Sequence, residues 1–103
     1  MGAAIMNKEL LESPELVNRL IADMGVSASF AYENVEECAK LCEKFDIIKE
    51  AVAVKAIPNC NIALITGSEM RDYLTGYYQI LFNLNPKAVG GALPAGDFFL
   101  VNE

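Results

Sequence analysis

The residues best suited to nucleophilic or metal chemistry in this chain are three cysteines, Cys38, Cys42 and Cys60. Cys38 and Cys42 stand four apart, one helical turn, which sets both sulfurs on one face of a helix. A closed tetrahedral metal site needs four ligands. The chain has no histidine, so Asp or Glu would have to complete the set. The competing reading is that all three are small buried hydrophobes, which is how free cysteine usually behaves, and it is preferred here. Three thiols cannot all pair within one molecule, which fits a reduced environment.

Without histidine the commonest general base is missing, and a thiol or hydroxyl nucleophile would have to borrow Asp, Glu or Lys. No GxSxG, GxGxxG or phosphate-loop pattern occurs. Thr66-Gly67-Ser68 before a helical pattern could hold an anion on free N–H groups, yet Glu69 would repel it. The same residues fit a capping box, with Thr66 as N-cap and Glu69 three positions on. Tyr73, Tyr77, Tyr78 and Phe82 could stack on a planar ligand, but at helical spacing they read first as a core or interface face. The expectation is no catalysis, no metal and no cofactor.

The elements that would position these groups are mainly helical. Met70, Tyr73, Leu74, Tyr77, Tyr78 and Leu81 draw an apolar stripe along a helix that begins after Thr66 and stops at Asn85-Pro86. Beyond it, Gly90-Gly91, Pro94 and Gly96 punctuate an irregular arm over 86–103, with Leu93, Phe98 and Phe99 as packing anchors. Ser13-Pro14-Glu15 reads as N-cap, N1 proline and acidic first turn. That helix carries Leu16, Val17, Leu20, Ile21 and Met24 and runs through Gly25. Asn34 with Glu37 starts a second helix, lined by Val35, Cys38, Leu41, Cys42 and Phe45, with a Glu36–Lys40 pair on its charged face. A third is expected from Ile47, capped by Asp46, to Ala56, with Pro58 ending it. Residues 2–6 read as a strand or an extended, strand-like lead-in, and Ile62–Ile65 is a strand or an extended crossing. The sum is about four helices with one or two short extended segments, a single domain over 1–103 with no repeat or linker.

Composition narrows the function. Acidic residues outnumber basic ones 14 to 8, for a net charge of -6, and no basic run occurs, which disfavours nucleic acid. The apolar share is 53% and mean hydropathy is +0.27, high for a small body with proportionally more surface, so part of that surface should meet a partner. No stretch is apolar enough to span a bilayer, and the N-terminus lacks the basic region and hydrophobic run of an export signal.

Several segments carry a resemblance. Ser13-Pro14-Glu15-Leu16-Val17, Asn34 with Glu36-Glu37, Ala39-Lys40-Leu41, Ala56-Ile57-Pro58-Asn59-Cys60-Asn61-Ile62 and Gly67-Ser68-Glu69-Met70 come first. Asn85-Pro86-Lys87, Val89-Gly90-Gly91, Leu93-Pro94 and Asp97-Phe98-Phe99 follow. In this order they resemble the C-terminal portion of ABC-transporter solute-binding proteins of the nitrate/sulfonate/taurine type, over nearly the whole chain. The AIPNCNI segment and the NPKAVGGALP…DFF tail are the specific parts. The family's tail usually has acidic residues where this chain has Ala95-Gly96.

The resemblance implies the helical C-terminal part of a two-lobed α/β periplasmic-binding-protein-like fold. Such a protein is extracytoplasmic, periplasmic or lipid-anchored, closes on a small solute and delivers it to a membrane permease. The family's ligand contacts come chiefly from loops outside this chain, so no ligand-binding residue is assigned. Solute binding would require the other lobe. Without the sheet these helices would cover, the chain should form a homo-oligomer through Leu16, Leu20, Met24, Tyr73, Leu74, Tyr77, Tyr78, Leu81, Phe98 and Phe99. Two other readings compete: a free-standing acidic helical adaptor with a cytoplasmic partner, and a small thiol enzyme or metal site.

Overall fold

In the computed structural model, which describes residues 2–101, the chain is mainly helical, with four α-helices and four short 3-10 turns among the described residues. They are α1 (Pro14–Glu33), α2 (Val35–Lys44), α3 (Glu50–Ala56) and α4 (Gly67–Leu84). No strand occurs among the described residues: 2–7 and 61–66 carry no regular secondary structure. Of the two alternatives for 2–6 and for Ile62–Ile65, the strand is therefore the one that is not taken. A strand without a partner has no ladder to complete, so an apolar run alone does not make one. The contacts divide the chain into two compact units, residues 1–64 and 65–103.

In the first unit a 3-10 turn over Lys8–Glu12 leads into α1, whose first residue is Pro14 and which continues unbroken through Gly25. Helix interiors tolerate glycine at about 1 kcal/mol relative to alanine. Here a Cβ would sit 3.6 Å from the Leu64 side chain, an ordinary van der Waals contact, so segment 62–64 passes α1 at a distance that does not itself demand glycine. Val17, Ile21, Met24, Ala28 and Ala31 turn inward on α1, whereas Leu16 and Leu20 stay exposed. The apolar stripe is thus narrower than its composition suggests.

The core of this unit is built on alanine. Ala31, Ala39, Ala53 and Ile57 are buried, with Val35, Cys38, Cys42, Val54 and Ile62 packed around them. Ala39 is completely inaccessible and Ala53 nearly so. Small side chains at these contacts let α1, α2, α3 and the 3-10 turn Ile57–Asn59 approach closely. Leu41 and Phe45, expected on the inner face of α2, are exposed instead.

Asn34 ends α1 and starts α2 at once: its N–H donates to the Phe30 carbonyl at 2.9 Å and its carbonyl accepts from the Cys38 N–H at 2.8 Å. The expected capping box does not form. Asn34 makes no side-chain cap bond, and Glu37 instead accepts from Lys40 Nζ at 3.1 Å. That contact also replaces the expected Glu36–Lys40 pair.

The turn into α3 differs from the sequence expectation. Asp46 adopts φ 59°, the left-handed conformation at which helices often end. The Ile47 N–H reaches the Cys42 carbonyl at 2.8 Å and the Asp46 N–H reaches Glu43 at 3.0 Å, the two bonds of a Schellman motif. Asp46 therefore terminates α2 rather than capping α3, which begins three residues later than expected, at Glu50.

In the second unit Thr66 stands at the N-cap of α4, but its side chain makes no cap bond. Gly67 enters the helix with φ 67°, so the chain turns through a left-handed residue and the capping-box geometry is not reached. Asn85 ends the helix, and its Oδ1 accepts the Lys87 N–H at 3.1 Å over a 3-10 turn from Pro86 to Val89. The arm is irregular apart from that turn and a second at Gly96–Phe98.

Candidate functional site

The three thiols fall into two settings. Cys38 and Cys42 lie half-buried against the alanine core, one turn apart on α2, while Cys60 is exposed after α3. Burial pushes the Cys38 thiol above its ordinary range, and the neighbouring Cys42 thiol adds to the shift. A raised thiol holds less of the nucleophilic thiolate at neutral pH, the opposite of an activated cysteine. Among the described residues no three Cys, Asp or Glu side chains group as metal ligands. Gly67 of the Thr66-Gly67-Ser68 segment is buried, and Glu69 is exposed on the first turn of α4.

An open groove of about 330 Å³ runs between α1 and segment 62–64, lined by Gly25, Ala28, Ser29, Tyr32, Ile62, Ala63 and Leu64. Its wall holds one hydroxyl and one phenol but no charged side chain. It offers no acid–base pair.

The most developed electrostatic device is structural. Glu43 of α2 accepts the backbone N–H of Glu50 at 2.8 Å and lies 3.6 Å from Lys49 Nζ. The Glu50 N–H is one of the four donors that the start of α3 leaves without a partner inside the helix. Glu43 therefore caps its neighbour across the turn, and this bond, aided by Lys49, holds its carboxyl below the usual range. No local spacing rule announces it, because donor and acceptor are seven residues apart. A search for carboxylates just upstream of a bare helix start would have found it.

The residues assigned to self-association fall into distinct settings. In the first unit Leu16 and Leu20 are exposed and Met24 is half-buried. In the second, Leu74, Tyr78, Leu81 and Phe99 are half-buried, while Tyr73, Tyr77 and Phe98 are exposed. Part of the set meets within its own unit. Tyr78 lies 6.3 Å from Phe98 and 6.4 Å from Phe99, and those two rings meet edge-on at 5.3 Å. The aromatic anchors of the arm thus fold back on α4, with ring separations in the favourable range. Sequence reading missed Ile80 and Leu84, which are 60% and 79% exposed on α4, and the exposed corner of Phe45, Ile47 and Ile48 after α2. The 4-3-4 spacing of Tyr73, Tyr77, Ile80 and Leu84 was the available signal.

No helix among the described residues is long and apolar enough to cross a membrane. No protein-family model, no curated protein and no solved structure matches this chain.

Proposed function

We propose that this chain is a non-catalytic helical part of a solute-binding component of an ABC transporter, whose exposed apolar faces are meant to lie against a larger α/β body. In that setting the small solute is held with the help of the other lobe, and the permease is the partner of the assembled protein, outside the cytoplasm. The family reading comes from the resemblance of the AIPNCNI and NPKAVGGALP…DFF segments. The observation that carries the covering role is apolar exposure in the first unit, where Leu16, Leu20, Phe45 and Ile47 are all open to solvent. Scattered exposed apolar residues are ordinary, whereas rows of them along helices point to surfaces made for contact.

Two measurements test this. The dilute chain should bind a hydrophobic dye such as anilinonaphthalene sulfonate; a chain that binds none has no face waiting to be covered. DNA immediately upstream of the Met1 codon should continue in frame into an α/β lobe with an export signal. An isolated start site there would overturn the transport reading in favour of a small acidic adaptor.

A further inference from the structure

Beyond that reading, we infer that α4 is the seam of a two-fold homodimer, in which the Tyr73, Tyr77, Ile80 and Leu84 stripes of two copies of this chain pack antiparallel.

The stripe is separate from the face that α4 uses within its own unit. Met70, Leu74, Tyr78, Leu81 and Phe82 are half-buried there, and Tyr78 carries the arm's aromatic pair. Tyr73, Tyr77, Ile80 and Leu84 follow at intervals of four, three and four, roughly a quarter turn around the helix, and are 56%, 45%, 60% and 79% exposed. Alternating steps of three and four keep side chains on one seam when two helices pack side by side.

Charge placement selects a second copy as the occupant. Between Tyr73 and Leu84 the helix has no charged residue. Arg71 and Asp72 at its start pair with each other at 3.2 Å, which leaves Glu69 as the carboxylate at that end without an ion-pair partner among the described residues; beyond the other end stands Lys87. A two-fold axis between Tyr77 and Ile80 sets Tyr77 opposite Ile80, Tyr73 opposite Leu84 and Glu69 beside Lys87 of the second copy, twice over. A two-fold interface must be self-complementary, and this stripe is. A parallel pairing would instead set Glu69 against Glu69.

Size and packing agree. The four side chains offer on the order of 500 Å² per copy, so two copies reach the roughly 1,000 Å² that a specific interface must clear. Gly76 borders the stripe with open space around its missing Cβ, so nothing in its own chain calls for glycine, while a close helix neighbour would. The second unit also has no cysteine for a disulfide, and at about 40 residues it is in the range that needs outside help to hold a fold.

The test is sedimentation velocity of the full chain from 1 to 200 µM, with circular dichroism to confirm helicity. The expected species is twice the 11.2 kDa chain mass. Tyr77→Glu with Leu84→Glu should give a monomer of unchanged helicity, and Leu16→Glu with Leu20→Glu should leave the dimer intact. Glu69→Lys should weaken association roughly fivefold to tenfold, and adding Lys87→Glu should restore it. A monomer throughout the range, larger open assemblies, or a dimer that survives the α4 changes would overturn the pairing. So would failure of the double charge reversal to restore it, which would remove the antiparallel register. Should the acidic α4 pair unfold, Tyr77→Gln with Leu84→Gln serves the same purpose. None of these outcomes depends on what lies upstream of Met1, so the pairing and the transport reading fail separately.

Discussion

The two units bury different things. The first closes four helical segments around Ala31, Ala39, Ala53 and Ile57, and ties α2 to α3 by a left-handed turn and a carboxylate cap. In the second, the only buried residue among those described is Gly67, and its long helix is held by a half-covered face and three aromatic rings. Both have similar apolar content, so burial depends on geometry rather than on hydrophobicity. Small side chains allow the first unit's helices to converge. A single long helix with a short arm has nothing to converge upon.

This contrast predicts unequal responses to mutation. The largest effect should come from Ile57→Ala, which opens a cavity beside Ala53 and Ala39 and should cost about 2–4 kcal/mol by urea unfolding. Ile80→Ala in α4, at dilutions where the chain is monomeric, should change stability by under about 0.5 kcal/mol. Equal losses at the two sites would erase the distinction. Next is Ala39→Leu, which forces three further carbons into a fully occupied contact and should cost about 1–3 kcal/mol, seen as a lower Tm and faster amide exchange in α2 and α3.

A smaller effect of opposite sign is expected at Gly76. Gly76→Ala places a methyl in open space and should strengthen α4 by about 0.5–1 kcal/mol in the monomer, read as slower amide exchange confined to that helix. Slower exchange in α2 would contradict the separation of the units.

The smallest concerns Glu43. Its carboxyl titrates below its unfolded value, so its contribution is complete above the ordinary carboxylate range and is lost as pH falls through the folded pKa. A Tm profile between pH 2.5 and 6 should flatten in Glu43→Gln relative to the parent, by a few degrees at most. Identical profiles would mean that the α3 cap contributes nothing.

Much of the fold was legible in the sequence because helix boundaries are written locally. Pro14 at N1, the continuation through Gly25, and the stop at Asn85-Pro86 all follow from backbone chemistry at those positions. The caps were legible as places but not as bonds. Ser13, Asn34 and Thr66 stand at helix starts, yet none makes a side-chain cap bond. Asn34 is constrained by closing α1 and Thr66 by the turn at Gly67. Asp46 was misread because aspartate serves both the start of a helix and its left-handed end, and only the Ile47 to Cys42 bond distinguishes them.

The candidate surface was half legible. Periodicity found one stripe on α4, but an 18-residue helix can carry two, and the pattern alone does not say which is already covered. Ala39 was invisible as the centre of the core because its area is small. Its contribution lies in how near it lets backbones come.

Asn34 leaves α1 and α2 no slack, since the last carbonyl partner of one helix and the first of the other belong to the same residue. Adding or removing a residue at this joint would turn everything after it by about 100° around the α2 axis. Ala39 would then leave its place in the core, to be replaced by Lys40 on removal of a residue or by Cys38 on addition of one. Length variation among related chains should therefore be absent at position 34 and better tolerated at Ala63, where no helix phase is at stake.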